Sequence, residues 1–599
     1  ALGDAAGALA DARLAVALDP GAAGPAGTLG TTHLHVGEVT EAIRWRGRAA
    51  RLTPDSGTSW LDLGRAAAAL GPGESAAVVL QRAIAMAPAL PAAYDALAEL
   101  RHHQGDTRSA RRLLDRRLRI APDSAAALRL ALLIPAVPDS EAAMDAAWTR
   151  LLANLETLEH GPVRVDPAAG PLATLTLPPR SLEDAGPSLP LIMRRLARVQ
   201  RRIAPGLDHT ATLPPPPRPD APLHLAVVLP PADGGSDPDG LAPLVANLIP
   251  DLASRPDLDV RIFRPVCAST TPAPTTPEAG GPIPLPDDLE SARATIGAAR
   301  PDAVLTVDPM SSPLTWALAF ARLAPVQAIL GGRPATSGLP TLDYALTATD
   351  WDPEEAGAQI TERLIRLRGT PLRIPATPAC ATLERADLGL PPAGDARLYL
   401  LPGGPADVRP AHDAAWMDLL RRDPIGLLLL PARPQRSVGV RLTERWRQRD
   451  EAAAVLNRVR FLPPLRRAHL LGIARIADAL LDTGGGGSVA LEAMALGIPS
   501  VVLPGPSAGR GVVAGQIRRW GSPELVARDP THFVNLALRL ARHDEWRREI
   551  GARLAAAATD PTSPTAAAAE MGAFFRAARE AAADGRRLDR WPPERHTSS

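Results

Sequence analysis

Prolines fall at Pro20, Pro54, Pro88 and Pro122, each 34 residues after the last, and this period limits what the first part of the chain can build. Each closes a similar phrase: Ala-Leu-Asp-Pro, Arg-Leu-Thr-Pro, Ala-Met-Ala-Pro, Arg-Ile-Ala-Pro. Proline has no backbone N–H and its ring strikes the carbonyl four residues back, so it cannot sit inside a helix. It also pushes the residue before it out of the helical region. Small residues recur at fixed distances from these prolines: Ala8, Ala42, Ala76 and Ala110 at one phase, Ala15, Ala49 and Ala83 at another. Gly30, Gly64 and Ala98 share a third phase, and Trp60 and Tyr94 a fourth. Small side chains at one helical phase let two helices approach closely. The pattern predicts paired helices stacking into a solenoid over residues 1–135, with each proline ending the second helix of a pair. The first pair is cut by the start of the sequence, which lacks Met, so a longer array is expected.

The 34-residue period resembles that of the tetratricopeptide repeat. That resemblance implies a concave groove for protein or peptide partners. A spacer or an oligomerisation arm is the alternative.

A second informative stretch runs over residues 478–505, DALLDTGGGGSVALEAMALGIPSVVLPG. It reads as a buried strand (Ala479–Leu481), a glycine loop (Gly484–Gly487), a helix (Val489–Leu496) and a second strand (Ser500–Leu503). A strand that runs through glycines into a helix N-terminus leaves unpaired N–H groups converging on one spot, which suits a phosphate. Glycine lets the backbone approach a diphosphate without an intervening side chain. Glu492 lies about one helical turn beyond Ser488, where a carboxylate can accept hydrogen bonds from sugar hydroxyls. A flexible loop in a glycine-rich chain is the alternative. The ordered strand–loop–helix–strand context favours a nucleotide.

Around this stretch, apolar strands alternate with helices. One series comprises Leu223–Leu229, Asp259–Phe263, Ala303–Val307 and Val326–Leu330; a second comprises Arg397–Leu401, Gly426–Leu430, Arg458–Phe461, Ala479–Leu481 and Ser500–Leu503. That rhythm predicts two Rossmann-like halves, 221–375 and 395–585, each a parallel sheet covered by helices, with a ligand in the cleft outside the strands' carboxyl ends. Residues 136–220 read as a helical and proline-rich linker region, with helices at 139–159 and about Leu189–Ile203. Three helices, at about 530–541, 543–558 and 565–583, close the second half, and the tail 586–599 is expected to fray.

Composition narrows the chemistry. The 599 residues carry a formal net charge of +1, so no nucleic-acid partner is implied. All 66 basic residues are arginine, so lysine serves here neither as a base nor as a phosphate clamp. Cys267 and Cys380 stand alone, without metal-ligand spacing, and neither a disulfide scaffold nor a metal site is expected. No apolar run is long enough to span a membrane and no signal pattern opens the chain, so a cytoplasmic protein is expected.

Helical repeats followed by two Rossmann-like halves, the second with a glycine loop and Glu492, resemble the protein O-GlcNAc transferases and their SPINDLY-like relatives. These form glycosyltransferase family 41, which has the GT-B fold. Ala324-Pro-Val-Gln327, the stretch Gly332–Tyr344 and Thr361–Leu367 are similar to that family's first catalytic half. Phe461-Leu-Pro, His469-Leu, Ala477-Asp, Leu481-Asp-Thr483, Gly505, Arg510 and Glu524–Ala527 keep the order of its second half. The resemblance implies transfer of a sugar, most familiarly GlcNAc, from a UDP-sugar to Ser or Thr hydroxyls of proteins. It implies no metal and no other cofactor, with helix-terminal N–H groups stabilising the departing diphosphate. Carried over by position, His469 would contact the uracil or ribose, Gly485, Gly486, Gly487 and Ser488 the diphosphate, and Glu492 the ribose hydroxyls. Arg510 would face phosphate, and Pro334, Thr336, Ser337 and Gly338 would line the cleft near the sugar. Without the family, His469 reads as an exposed residue at a helix start and Arg510 as a surface ion-pair residue.

The chain departs from the family at several places. The segment Pro230–Asp239, where the family has a histidine, has none; Asp233, Asp237 or Asp239 are the nearby candidates for a general base, although loop aspartates are usually turn residues. A second family histidine is missing near Val307–Ser312, and Asp407 stands where the family has a lysine. The family's His-Thr-Thr is Gly487-Ser488-Val489. Three functions compete: an active protein glycosyltransferase with altered catalytic groups, an inactive scaffold whose solenoid binds partners, and a transferase acting on a glycan.

Overall fold

The computed structural model describes residues 5–71, 73–165, 170–215, 221–232, 240–266, 281–331, 335–351, 354–431, 436–449, 452–463, 465–484, 487–505, 507–560 and 562–592. The chain divides into two compact units.

The first unit, built mainly from Ala1–Pro135, is a run of helices: Ala5–Leu18, Ala23–His35, Val39–Leu52, Gly57–Leu70, Glu74–Met86, Pro91–His103, Thr107–Ile120 and Ser124–Ala131. Pro20, Pro54, Pro88 and Pro122 each lie two residues beyond a helix end. The recurring small residues mark where helices cross. A Cβ at Gly30 would come within 2.8 Å of Arg46 Cγ, and one at Gly64 within 2.7 Å of Leu80 Cγ. The aromatic phase has a different task, because the carbonyl of each helix-ending proline needs a donor. Trp60 Nε1 donates to Pro54 O at 2.8 Å and Tyr94 Oη to Pro88 O at 3.0 Å.

The second unit holds two parallel sheets. The first contains β1 (Leu223–Val228), β2 (Leu258–Pro265), β3 (Ile283–Leu285), β4 (Ala303–Val307), β5 (Val326–Leu330), β6 (Tyr344–Ala348) and β7 (Arg363–Leu367), in the order β3-β2-β1-β4-β5-β6-β7. The second contains β8 (Arg397–Leu400), β9 (Gly426–Pro431), β10 (Val459–Leu462), β11 (Ala479–Asp482) and β12 (Ser500–Val502), in the order β10-β9-β8-β11-β12. Central strands such as β4, β5 and β9 are buried throughout, as strands covered on both faces must be.

Three expectations need correction. Residues Leu189–Ile203 are a helix, as expected, but not a linker. Ile192, Met193, Leu196, Val199 and Ile203 are buried, and Trp316 Nε1 donates to Gln200 Oε1 at 3.0 Å, which joins the helix to the first half. The helix Thr562–Ala583, grouped by sequence with the second half, packs on the first sheet: Phe574 meets Tyr344 edge-on at 5.2 Å between ring centroids, and Arg579 pairs with Asp302 at 3.3 Å. The tail also does not fray through Pro592. Leu588 N donates to Tyr344 Oη at 2.8 Å, Arg587 pairs with Asp343 at 2.7 Å, and Trp591 lies against Phe574.

Candidate donor site

At the carboxyl end of β11 the chain turns at Gly484, whose φ of +91° suits glycine, and Gly484 N donates to Asp482 Oδ1 at 2.8 Å. The helix Gly487–Ala495 begins just beyond and is buried along its whole length. Gly484 and Gly487 line a cleft whose opposite wall is formed by Ile329 of β5, by Gly331 and Ala335 after it, by Leu346 and Thr347 of β6, and by Trp351. The cleft thus lies between the two sheets at the carboxyl ends of their strands.

Inside the second half, a buried carboxylate meets a guanidinium. Arg467 Nε donates to Glu492 Oε2 at 2.7 Å, and its Nη1 donates to Ser488 Oγ at 2.7 Å. Its Nη2 is buried with no partner among the described residues. Arg467 therefore places a cation at the first turn of Gly487–Ala495, where the helix end itself is already positive. Two positive contributions converge there and a single carboxylate opposes them, which makes the corner receptive to an anion.

Arg510 also lines the cleft. Its stem runs past Gly484 and Gly505, where a Cβ would lie 3.2 Å from Arg510 Cβ and 2.9 Å from Arg510 Cδ respectively. Its guanidinium is buried and reaches Asp184 at 2.9 Å and Glu183 at 3.5 Å, both in the short helix Arg180–Ser188. Asp184 meets Arg409 as well, at 3.5 Å. Burial, reinforced by the Arg409 and Arg510 cations and opposed by Asp184, pushes His412 down to about 4. His412 is thus neutral at ordinary pH.

The expected site residues sort as follows. Gly487, Ser488, Glu492 and Arg510 come together around the cleft and the helix that opens onto it. His469 is exposed on the helix Arg467–Ile476, so in that helix Arg467, not His469, reaches Glu492. Thr336 and Ser337 do not face the cleft. Both are fully buried and bind Glu362: Thr336 Oγ1 donates to Glu362 Oε2 at 2.6 Å and Ser337 N to Oε1 at 2.8 Å. Gly338, with φ +72°, packs so closely on the Met193 backbone that a Cβ would overlap it. Ala335 alone of that described stretch lines the cleft. Asp407 folds its carboxylate over Gly403, and its carbonyl accepts from Thr483 Oγ1 at 3.1 Å. Pro334, Gly485, Gly486, Asp233 and Asp237 lie outside the described residues.

Arg467, Glu183, Asp184 and His412 were not singled out from sequence. A buried Glu492 demands a partner, and an arginine at the start of the helix that bears His469 was the available signal. Nothing local marks Glu183 or Asp184, which lie more than 300 residues from Arg510 in the sequence.

No family model matches the chain. The "Probable UDP-N-acetylglucosamine--peptide N-acetylglucosaminyltransferase SPINDLY" of Petunia hybrida is 27% identical over 232 residues, 37% of this chain and 24% of the relative. The protein of the same name from Solanum lycopersicum is 28% identical over 232 residues, with the same shares. The match thus spans about a quarter of the length of these curated relatives. Among solved structures, an O-GlcNAc transferase mutant from Thermobaculum terrenum superimposes with a TM-score of 0.65, covering 93% of this chain and 97% of that one at 19% identity. The chain is therefore similar to the SPINDLY O-GlcNAc transferases in part of its sequence, and it shares the GT-B glycosyltransferase fold and helical repeats of a bacterial O-GlcNAc transferase.

Proposed function

We propose that the chain transfers a sugar, GlcNAc foremost, from a UDP-sugar to Ser or Thr hydroxyls of proteins, without a metal. The observation that carries this reading is the convergence of the Gly487–Ala495 helix start and Arg467 beside the cleft, with Glu492 one turn further on. In this reading the Gly487 N–H and the Ser488 hydroxyl hold the diphosphate, and Glu492 accepts from the ribose. Arg467 and Arg510 offset the charge that builds on the diphosphate as the bond from sugar C1 to phosphate oxygen breaks. The acceptor hydroxyl oxygen forms the new bond to C1 and gives up its proton. Asp233 and Asp237 are the proposed acceptors for that proton, since their segment joins β1 to Gly240, which lines the cleft. The helical-repeat unit presents protein acceptors.

An inactive scaffold is the second reading. It is favoured by the ion pairs that already engage both cations, Arg467 with Glu492 and Arg510 with Asp184. Calorimetric titration of UDP and UDP-GlcNAc, with Glu492→Ala as control and a sugar-transfer assay beside it, separates the two. Binding that Glu492→Ala loses, together with transfer, supports the enzyme; absence of UDP binding sinks it.

A further inference from the structure

In the helical-repeat unit, the helix Thr107–Ile120 carries six arginines against one acid, Asp115. Two of the six are used inward. Arg117 is buried between Asp95 at 3.3 Å and Asp123 at 3.0 Å, and Arg111 donates to Leu133 O at 3.2 Å. The other four, Arg108, Arg112, Arg116 and Arg119, are exposed, and among the described residues none pairs with a carboxylate. Some other arginines of the unit do meet acids: Arg46 meets Asp62, Arg101 meets Glu74 at 2.9 Å, and Arg129 meets Asp95 at 3.0 Å.

Steps of four, four and three residues keep these arginines on one helix face. At about 1.5 Å of rise per residue, they form a row roughly 16 Å long with a charge about every 5.5 Å. Like charges four residues apart destabilise a helix, and Arg108 lies in the first turn, at the positive end of the helix dipole. The row therefore costs helix stability that an opposing charge would recover. Arg112, Asp115, Arg116, Arg119 and Ile120 line a shallow surface depression. The Arg116 guanidinium lies 5.6 Å from the centroid of the Tyr94 ring, which restrains its motion before any partner arrives.

We propose that this face docks an extended acidic segment of a partner protein, with carboxylates at alternate residues. Side chains on one edge of an extended chain recur about every 6.6 Å, close to the arginine spacing. A phosphate backbone fits less well, because Asp115 interrupts the row and the whole chain carries a net charge of only +1. This docking does not depend on whether the cleft is catalytic.

The test uses the full chain and a short fluorescein-labelled peptide of alternating Glu and Ser, followed by fluorescence anisotropy. The expected result is saturable binding that weakens as salt rises and falls at least tenfold in Arg112→Glu/Arg116→Glu. A milder Arg112→Gln/Arg116→Gln variant is expected to show a smaller loss, with circular dichroism unchanged in both. No binding to the parent chain, or equal binding to the charge-reversed variant, overturns the proposal. A single-stranded oligonucleotide that binds the same face more tightly than the peptide overturns it in favour of nucleic acid.

Discussion

Gly515 lies so close to the carbonyl of Asp350 that a Cβ on it would overlap that oxygen. The contact joins the helix Val512–Arg519 of the second half to the turn after β6 in the first. Around it, Trp351 Nε1 donates to Gln516 Oε1 at 3.4 Å, Thr370 Oγ1 reaches the same oxygen at 3.1 Å, and Arg519 pairs with Asp350 at 2.6 Å. Trp351, Val512 and Val513 also line the cleft, so the width of the cleft is set where Gly515 sits. Gly515→Ala is expected to destabilise the protein by about 1–3 kcal/mol, the usual cost of overpacking. It is also expected to weaken UDP binding, measured by calorimetry beside a thermal melt. A melt and a UDP affinity equal to the parent's would show that the halves are not coupled through this contact.

Arg467 links Ser488 to Glu492 and brings a cation to the helix start. Arg467→Gln is expected to weaken UDP at least tenfold while leaving uridine affinity nearly unchanged, because uridine lacks the charge. Arg467→Lys restores part of the difference. The competing outcome, equal loss for UDP and uridine, would mean that Arg467 acts only by holding Glu492 in place.

Glu362 gathers Thr336 Oγ1, Ser337 N and Thr361 Oγ1, the last at 2.9 Å. Removing one donor from a buried hydrogen bond costs about 1–3 kcal/mol. Thr336→Val is therefore expected to lower the urea midpoint and to leave the affinities for UDP-GlcNAc and UDP-glucose in the same ratio. A changed ratio would return Thr336 to the sugar-contacting role that its sequence position implies.

Two histidines make stability fall in acid. Burial, with help from the neighbouring His103, lowers His102 to about 4, and burial with Arg409 and Arg510 lowers His412 to about 4. Each folded-state value lies below the unfolded value of 6.5, so the unfolded chain binds more protons between them. Stability is then complete above pH 6.5 and declines as pH falls toward 4, by roughly 2–3 kcal/mol for each histidine. Melts from pH 7 to 4 should flatten in His412→Gln and His102→Gln; an unchanged slope in both would refute the assignment.

The repeat unit was legible because its signal is periodic; strands such as β4, β5 and β9 were legible because they are mostly apolar, interrupted only by Thr306 in β4 and Gln327 in β5. Of the strands that escaped, β6 (Tyr344–Ala348) is largely apolar and buried throughout, whereas β3 and β7 are of mixed composition. In β7, Arg363 and Arg366 interrupt the apolar residues because an edge strand buries only Ile365 and Leu367 fully. In β3, Pro284 is tolerated because the strand lies at the sheet edge. The strand β11 and the helix bearing Glu492 were readable because neighbouring residues build them. The partners of Thr336 and Arg510 were not, since Glu362 and the Glu183–Asp184 pair reach them only after the halves have folded.

The helix Thr562–Ala583 has a consequence for how the protein is made. The strand bearing Tyr344 leaves the ribosome more than 200 residues before Phe574, yet these two rings meet in the finished core. Domains ordinarily fold as their residues emerge. Here one contact of the first sheet, Tyr344 with Phe574, can form only after the entire second half has been synthesised.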